Sequence, residues 1–418
     1  MWNIILIIII IEFINYLYFL RIKKIILNKE YYYGDRFDLS IRRDFLESKN
    51  QIKYIGEYIE FRKTENTNLS YIAINPLIKF FLSLYFNKTK KQARLKHMNI
   101  IYTDIQKFRN KYNISLTFND DKKFKRFGQS DIQCCYKPLI ISFIMTIIKL
   151  YSEIKLKMNG FTKYYSKQTN ICYWSNKYQK NTSNNIPLFF LHGLGIGIIP
   201  YLDFIIDMAK DRLVICPVLP NISNVYFHPL KFNLKRNDFF PSFDIIYQEI
   251  NQIIELHKFN KFDIVSHSFG TFIQSSLILE SSFRSRLRKK IFIDPVCFHS
   301  NLTKVLKSVD QKKMDRGSNI LGEITHYFVY LDVYVKYATK RNLFSMEFLW
   351  GNYRYLDENT LIILSGNDSI TASDEIFEDI YKAGYGDKVE WLENANHGDL
   401  FMTSKWPHTI KRIKKYLS

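Results

Sequence analysis

The chain has 418 residues, of which 47% are hydrophobic and 24% are charged, and its formal net charge is +20. This length and composition allow a sizeable core, which excludes a small disulfide-stapled scaffold and an intrinsically disordered chain. The positive charge favours anionic surfaces, but no zinc-finger spacing, basic recognition helix or RNP-like aromatic motif accompanies it, so no nucleic-acid partner is expected.

An almost unbroken apolar run extends from Ile4 to Leu20 near the N-terminus. It has about the minimum length of a helix that crosses the hydrocarbon core of a membrane. Because no Lys or Arg precedes it and no small-residue cleavage site follows it, we interpret residues 1–27 as an uncleaved transmembrane anchor rather than a signal peptide. Glu12 does not suit a membrane span, because an ionised carboxylate near the middle of a bilayer is costly. Its carboxyl group has to be protonated, paired or close to a kink.

Basic residues follow the apolar run at Arg21, Lys23, Lys24 and Lys29. By the positive-inside rule this flank predicts a single-pass membrane protein whose remaining chain faces the cytoplasm, while the organelle stays open. The five cysteines agree with a reducing compartment, because their number is odd and their spacing shows neither a disulfide framework nor paired metal ligands.

Residues 28–158 have a mixed, charged and mostly helical pattern, which predicts a membrane-proximal helical region. Two apolar stretches within it, Leu69–Phe86 and Pro138–Tyr151, are too interrupted or too short for clear membrane spans. We interpret each as a helix that packs on the following domain or lies in the membrane surface, and burial in the core is the favoured alternative.

From about residue 159 to residue 418, short apolar runs alternate with amphipathic stretches. This alternation predicts an α/β domain in which helices flank a mostly parallel sheet. The continuous β-favouring runs are typical of strands that are buried on both faces. The expected strands are Leu188–Leu191, Leu213–Cys216, Phe262–Val265, Lys290–Ile293, Thr360–Leu364 and Lys388–Leu392.

A Ser-His-Ser-Phe-Gly motif at residues 266–270 directly follows one expected strand and precedes a helix-compatible stretch. This order is the setting of a nucleophile elbow, in which a strained turn exposes one serine hydroxyl at the edge of the sheet. Ser268 is therefore the candidate nucleophile. Ser266 stands where glycine is usual, but its side chain is still small, as the close approach of helix and strand requires.

A second motif supplies backbone N–H groups for an oxyanion. The strand Leu188–Leu191 leads into His192-Gly193-Leu194-Gly195, the position of such a loop in hydrolases with a nucleophile elbow. Gly193 and Leu194, together with Phe269 after the nucleophile, are the candidate oxyanion-hole residues.

The same loop resembles a dinucleotide fingerprint only superficially. A Gly-x-Gly-x-x-Gly pattern would need its third glycine at Ile198 or Pro200. Phosphate binding by this loop is therefore not expected.

Two later strands end near an acid and a histidine. Thr360–Leu364 leads to Asp368, and Lys388–Leu392 leads to His397. In this arrangement His397 is the candidate general base for Ser268, and Asp368 is the candidate acid that orients the imidazole. Asp294, which follows the strand Lys290–Ile293, is the alternative acid.

With these motifs, roughly residues 160–418 resemble the α/β-hydrolase superfamily, in which the catalytic residues follow in the order Ser, Asp, His. Leu191–Pro200 and Ile293–Phe298 are also similar to a group of membrane-associated eukaryotic α/β-hydrolases. The resemblance implies esterase, lipase or thioesterase chemistry, with no metal and no organic cofactor. It also implies a helical cap, expected at residues 299–355, where aromatic and aliphatic residues are frequent.

The sequence thus predicts a serine hydrolase that cleaves a carboxylic ester, and the membrane anchor makes a lipid ester the first substrate class to test. The alternative is a catalytically inactive hydrolase-fold scaffold at a membrane, because a fold does not guarantee activity and Ser266 departs from the usual motif. The acyl group, the alcohol and the oligomeric state stay open.

Overall fold

A computed structural model describes most of the chain. The described residues are 2–28, 71–86, 90–113, 115–117, 133–165, 171–176, 186–219, 222–223, 243–298, 326–341, 353–402 and 404–418. Residues 29–70 of the expected helical region and residues 299–325 and 342–352 of the expected cap lie outside this set. What the sequence predicts for them stays a prediction.

The N-terminal apolar run forms helix α1, Trp2–Asn28. Its segment Ile5–Ile25 has a mean hydropathy of 2.2, is long and apolar enough to cross a membrane, and has an apolar window of which only 6% is buried. The C-terminal part of α1 differs, because Ile22 is buried in a core of the α/β domain, and the residues packed around it include Tyr18, Phe19 and Ile25. One end of the helix is therefore docked on the domain.

Two strands and two helices form a small α/β unit within residues 28–158, the region expected to be helical. Strand β1 (Tyr71–Ala73) pairs in parallel with β2 (Ser115–Thr117). Between them lie α2 (Ile74–Phe86), a short 3-10 helix (Lys90–Gln92) and α3 (Leu95–Tyr112). The apolar side of α2 is buried, and its ring contacts include one from Phe81 to Phe108 of α3.

Helix α4, Leu139–Met158, contains the second apolar stretch of that region. The side chains that it buries form one narrow stripe: Ser142, Met145, Ser152 and Leu156. The large apolar side chains of its outer face are each 42% exposed or more: Ile140, Phe143, Ile144, Ile147, Leu150, Tyr151, Ile154 and Met158. The favoured prediction of a buried core helix is therefore wrong for this face, because the helix packs on the protein only through the stripe.

Eight strands form the larger sheet of the described chain, in the order β3-β4-β6-β5-β7-β8-β9-β10. Strand β4 is antiparallel to both β3 and β6, and the neighbouring pairs from β6 to β10 are all parallel. The predicted mostly parallel sheet is confirmed. The strands are β3 Phe161–Tyr165, β4 Cys172–Asn176, β5 Leu188–Leu191, β6 Val214–Val218, β7 Phe262–His267, β8 Leu287–Ile293, β9 Thr360–Ser365 and β10 Val389–Leu392.

The six strands expected from the sequence correspond to β5–β10, whereas β3 and β4 were not expected. The two missed strands pair with each other at the edge of the sheet, and their sequences mix aromatic with polar residues. β3 is the edge strand and is covered less completely, so it lacks the continuous apolar run of the central strands. β4 is largely buried, but its polar residues Ser175 and Asn176 interrupt such a run.

Both faces of the sheet are covered. In β5, Leu188 and Phe190 belong to one hydrophobic core, while Phe189 and Leu191 belong to the other. Since successive side chains of a strand point to opposite faces, this alternation explains why the strand is apolar throughout.

The remaining helices are α5 Leu202–Met208, α6 Phe243–Leu256, α7 Gly270–Leu279, α8 Ser281–Arg284, α9 Val333–Arg341, α10 Ser373–Lys382 and α11 Pro407–Leu417.

Short turns complete the described fold. They are the 3-10 helices Ile199–Tyr201, Tyr353–Tyr355, Gly386–Lys388 and Asp399–Phe401 and the π-helix His326–Tyr330. The carboxyl ends of parallel strands meet at one edge of a sheet, which is where α/β folds place their sites. The loops after β5, β7, β8, β9 and β10 therefore converge.

Candidate active site

Ser268 lies in a sharp turn between β7 and α7. Its backbone φ is +50°, a left-handed conformation that serine rarely adopts unless its surroundings impose it. Gly270 is part of that constraint, because a Cβ at this position would lie 2.3 Å from the carbonyl oxygen of Leu191. The turn thus has the backbone strain and the close contact between helix and strand that are typical of a nucleophile elbow.

Ser266 occupies the position where this motif usually has its first glycine. It is fully buried in β7 and lies between Leu191 of β5 and Phe292 of β8. Within the part of the chain that the structure describes, its hydroxyl has no hydrogen-bond partner. The turn accommodates the Ser266 side chain, but its buried hydroxyl forms no stabilising hydrogen bond with the described residues.

Ser268, His397 and Asp368 are brought together by the ends of three strands. The Oγ of Ser268 is 2.8 Å from Nε2 of His397, and Nδ1 of the same ring is 2.7 Å from Oδ2 of Asp368. Ser268 is 8% exposed and Asp368 is 4% exposed, so little water reaches these contacts. The geometry is that of a proton path from a hydroxyl to an imidazole that is oriented by a carboxylate.

The side chain of Asp368 is fixed by backbone amides. Its Oδ1 accepts hydrogen bonds from the N–H groups of Ile370 at 2.7 Å and Thr371 at 2.8 Å, while Oδ2 faces His397. Burial raises the pKa of this carboxyl, but His397 and the two amides outweigh burial and lower the pKa below its usual value of 3.8. Asp368 is therefore an anion at neutral pH.

The same contact acts on His397 in the opposite sense. Burial lowers the pKa of this imidazole, but the charge of Asp368 and its hydrogen bond outweigh burial and raise the pKa above 6.5. The ring is thus well suited to accept a proton, because its charged form is stabilised where it would arise.

Asp294, the alternative acid, has a different set of partners. Its carboxylate is fully buried, and it accepts hydrogen bonds from the N–H of Ser365 at 3.0 Å and from the N–H of Gly398 at 2.8 Å. Asp294 therefore fastens the end of β9 and the residue after His397 to the end of β8. The imidazole of His397 is hydrogen-bonded to Asp368 instead.

A second hydrogen-bonded chain runs beside the first. The N–H of Gly193 donates to the hydroxyl oxygen of Tyr201 at 3.0 Å, and this hydroxyl is 2.8 Å from Nδ1 of His267. The Nε2 of His267 faces the carboxylate of Asp294 at 3.7 Å. Burial lowers the pKa of His267, so its ring is neutral. The tautomer that fits these partners accepts from Tyr201 at Nδ1 and carries its proton on Nε2, towards Asp294.

These hydrogen bonds connect the loop after β5 with the elbow, and the sequence did not reveal their central member, Tyr201. Tyr201 belongs to no motif, and it reaches His267 from 66 residues away. Its position directly after Pro200, which ends the glycine-rich loop, is the sole signal in the sequence that could have pointed to it.

The loop after β5 is shaped by a second buried histidine. The Nδ1 of His192 lies 2.7 Å from the carbonyl oxygen of Gly193, and its Nε2 accepts a hydrogen bond from the N–H of Leu219 at 3.1 Å. Burial lowers the pKa of His192 to about 4, so this ring is neutral too. His192 thus fixes the conformation of the loop after β5. Among the described residues its hydrogen bonds go to Gly193, Leu219 and Ser223 and not to Ser268.

One of the three expected oxyanion-hole residues needs a correction. The N–H of Gly193 is committed to the Tyr201 hydroxyl, so it does not point its proton at a substrate oxygen in this arrangement. A Cβ on Gly193 would lie 3.1 Å from Cβ of Ser268, which shows how closely this loop approaches the elbow. Leu194 and Phe269 remain as candidates.

Part of the expected cap lies over this loop. A Cβ on Gly195 would be 3.4 Å from a methyl group of Val329, so the π-helix contacts the glycine-rich loop directly. Burial and the charge of Asp368 both raise the pKa of Tyr330, which belongs to the same π-helix. Among the aromatic and aliphatic residues of the expected cap, the structure describes Tyr327, Phe328, Tyr330, Leu331 and Tyr334, whereas Phe344, Phe348 and Trp350 lie outside the described residues.

Three side chains at the site are of types that bind metal ions. Atoms of His267, Asp294 and His397 lie within 4.8 Å of one another. Both ring nitrogens of His397 are hydrogen-bonded, and both oxygens of Asp294 accept backbone N–H groups. A metal ion bound to His397 would therefore have to displace the contact of its ring with Ser268 or with Asp368.

The chain matches no protein-family model and none of the curated proteins. Solved structures of similar fold include a bacterial membrane phospholipase A (13% identity, 66% of this chain and 93% of that one, TM-score 0.45). They also include the carboxylesterase CesB of Bacillus subtilis (10% identity, 65% and 98%, TM-score 0.42) and an epoxide hydrolase of Vigna radiata (13% identity, 62% and 99%, TM-score 0.39). At such identities a likeness concerns the fold and not the function.

The fold follows from the topology itself. The α/β-hydrolase architecture matches this chain in four features. They are the order of the eight strands, the antiparallel β4, the strained turn after β7 and the loops after β9 and β10. This chain has the fold of the α/β-hydrolase superfamily.

Proposed function

We propose that the chain is a serine hydrolase that cleaves carboxylic esters, with Ser268 as nucleophile, His397 as general base and Asp368 as the acid that orients the imidazole. The observation that carries the proposal is the continuous hydrogen-bonded path from the Ser268 hydroxyl through His397 to Asp368, built on a serine with a φ of +50°. Backbone strain of this kind persists where surrounding structure imposes it, and it is common at active sites.

In the proposed reaction, Nε2 of His397 takes the proton of the Ser268 hydroxyl while Oγ forms a bond to the carbonyl carbon of the ester. The negative charge that develops on the carbonyl oxygen is stabilised by the N–H groups of Leu194 and Phe269. The C–O bond to the alcohol then breaks, and His397 returns the proton to the departing oxygen.

A water molecule completes the cycle. His397 takes a proton from the water as its oxygen attacks the acyl carbon, and the Ser268 oxygen leaves and regains a proton from His397. Asp368 keeps its charge throughout and stabilises the imidazolium in both halves of the reaction. No metal or organic cofactor takes part in this scheme.

A lipid or other long acyl ester is the proposed substrate class. Helix α1 is long and apolar enough to cross a membrane, and its C-terminal end is packed on the α/β domain that carries the site. An enzyme held in this way meets esters that are dissolved in the bilayer. The basic flank of α1 supports a cytoplasmic orientation of the catalytic domain.

The second candidate function is an inactive scaffold with the same fold. It would have no chemical use for a strained Ser268, a hydrogen-bonded histidine and a carboxylate fixed by two amides. These features favour catalysis.

Covalent labelling with a fluorophosphonate tests the proposal. We expect the full-length protein to be labelled in detergent, the Ser268→Ala variant to lose the label, and the Ser282→Ala variant, which changes an exposed serine, to keep it. Labelling of folded Ser268→Ala protein would assign the nucleophile to another residue. A wild-type protein that is neither labelled nor active on any short acyl ester would favour the scaffold.

A further inference from the structure

Helix α4 carries an apolar outer face that the proposed chemistry does not use. Eight large apolar side chains lie on it, and each is 42% exposed or more. In water an exposed apolar surface of this size is costly, and on soluble proteins a surface of this kind marks a binding site. The question is which partner covers it.

The N-terminus of α4 is bound to the middle of α1. The two carboxylate oxygens of Glu12 accept hydrogen bonds from the N–H of Leu139, the first residue of α4, at 3.1 and 3.3 Å. The hydroxyl of Tyr136 also donates to Glu12, and the Asn15 amide donates to that hydroxyl at 2.8 Å. The carboxylate that is awkward in a membrane span is therefore paired, and it lies at the positive end of a helix dipole.

Both helices leave this contact in the direction of the α/β domain. Ile22 of α1 and Leu156 of α4 are buried in the two cores of that domain. Starting from Glu12, the first basic residue of α1 is Arg21, nine positions further on. Starting from Leu139, the first charged residue of α4 is Lys149, ten positions further on.

The helical rise converts these spacings into depth. Nine or ten residues correspond to about 14–15 Å along a helix, which is roughly half of the hydrocarbon thickness of a bilayer. If Glu12 lies near the middle of the bilayer, both helices bring their first cation to the same headgroup level. The apolar side chains of α4 before Lys149 then lie in the hydrocarbon of one leaflet, next to α1.

We propose that α4 is a second membrane-inserted helix, whose outer face from Ile140 to Ile147 is covered by the acyl chains of one leaflet. The occupant of this face is the lipid bilayer, because the face is continuous with the candidate span α1 through Glu12 and ends in basic residues. This inference goes beyond the N-terminal anchor, since it adds a contact that fixes how the domain lies on the membrane.

The same segment connects the membrane contact to the site. Just before α4, the N–H of Cys135 donates to the carbonyl oxygen of Leu331 at 2.9 Å, and the hydroxyl of Tyr327 donates to the carbonyl oxygen of Tyr136 at 3.0 Å. The π-helix between Tyr327 and Leu331 contacts the loop after β5 through Val329. On the proposed function, an acyl substrate therefore reaches Ser268 from the leaflet beside this π-helix.

A depth measurement tests the insertion without reference to activity. An environment-sensitive NBD label is attached to Phe143→Cys or Ile147→Cys in the full chain, with the accessible native cysteines replaced by serine, and the protein is reconstituted in phosphatidylcholine vesicles. The control is Leu256→Cys, which labels a 70% exposed residue of α6. We expect blue-shifted emission at 143 and 147 and at least twofold stronger quenching by lipids with an acyl-chain nitroxide than at 256.

The possible contrary results are distinct. Emission typical of water at 143 and 147 would overturn the proposal. So would blue-shifted emission that acyl-chain nitroxides do not quench, because a protein segment or a second copy of the chain would then cover the face. Since the label reports position alone, a protein that inserts but hydrolyses no ester would contradict the proposed function and leave the insertion in place.

A pair of activity measurements tests the link to the substrate. The double variant Phe143→Glu with Ile147→Glu should lose at least tenfold in turnover of a long-chain ester embedded in vesicles, while turnover of a short water-soluble ester stays within about twofold of wild type. The matched control Tyr381→Glu changes a 68% exposed aromatic residue of α10 and should leave both activities unchanged. Equal turnover of the vesicle substrate by the double variant and wild type would refute access through this face.

Discussion

Oδ2 of Asp368 lies 2.7 Å from Nδ1 of His397, and the carboxylate side chain of the pair is fully buried. The neighbouring Asp294 is equally buried but gives its two oxygens to the backbone amides of Ser365 and Gly398. Two acids at adjacent strand ends thus have separable tasks: one orients the imidazole, and the other ties together the loops that carry the site.

The first prediction ranks these two acids. Asp368→Asn should reduce kcat on a soluble ester by roughly 10³–10⁴-fold, because the amide favours the wrong imidazole tautomer and no longer stabilises the imidazolium. Asp294→Asn should mainly lower the free energy of unfolding, by about 1–3 kcal/mol. The reason is that the NH2 group of the new asparagine faces a backbone N–H, so that two donors lie opposite each other. Kinetics and chemical denaturation of both variants measure the two effects. The reverse ranking in kcat would make Asp294 the orienting acid.

The second prediction concerns pH. His397 acts as a base only when it is neutral, and Asp368 raises its pKa above 6.5, so kcat/KM should fall as the pH drops through a midpoint above 6.5. In Asp368→Asn the charge of Asp368 is gone, burial still lowers the pKa of His397 and the smaller effect of the Asp294 charge alone still raises it, so the midpoint should move to lower pH. The pH profile of kcat/KM on a non-ionising ester measures both midpoints. An unchanged midpoint in the variant would contradict the assigned ion pair.

The third prediction addresses the chain through Tyr201. Tyr201→Phe removes the hydroxyl that Gly193 and His267 share, so the loop that carries Leu194 loses its tether to the elbow. We expect kcat to fall about tenfold with little change in KM, since the loop contributes mainly to transition-state stabilisation. The control is Tyr173→Phe, which removes a buried hydroxyl 3.3 Å from His257 and should leave kcat unchanged. An equal loss of kcat in both variants would point to a general structural effect.

The fourth prediction concerns the unusual first residue of the elbow motif. Ser266→Ala removes a buried hydroxyl that has no partner among the described residues, so the free energy of unfolding should rise by about 1 kcal/mol. Ser275→Ala is the matched comparison, because the hydroxyl of Ser275 donates to the carbonyl oxygen of Phe272 at 2.8 Å and its loss should be destabilising. Urea denaturation gives both values. A destabilised Ser266→Ala protein would mean that the hydroxyl has a stabilising partner.

The fifth prediction concerns orientation in the membrane. Because basic residues follow the apolar run Ile4–Leu20 of α1, protease added to cytoplasmic-side-out vesicles should digest the α/β domain without any detergent. Immunoblotting with an antibody to the C-terminus follows the digestion, and a lumenal marker protein confirms that the vesicles are sealed. Protection of the domain in sealed vesicles would reverse the topology, and extraction of the protein by carbonate would argue against a span.

Much of this architecture is determined locally. The central strands are recognisable because each is buried on both faces, as the two cores around β5 illustrate, and such strands must be apolar throughout. The elbow is recognisable because only glycine fits at position 270, where a Cβ would clash with the carbonyl oxygen of Leu191. Ser268, Asp368 and His397 follow strand ends, and the parallel order of β7, β9 and β10 is sufficient to predict that their side chains converge.

What the sequence left open depends on distances between residues that are remote along the chain. Motif context favours Asp368 over Asp294, but both follow a strand, and their distances from His397 cannot be read from the sequence. Those distances depend on which carboxylate the folded loops turn towards His397 and which they cover with backbone amides. The role of Tyr201 and the commitment of the Gly193 amide are decided in the same way, by a hydroxyl that arrives from another element. The pairing of Glu12 with the start of α4 is likewise a tertiary contact. Its donors lie more than 120 residues further along the chain, and the apolar run around Glu12 does not indicate them.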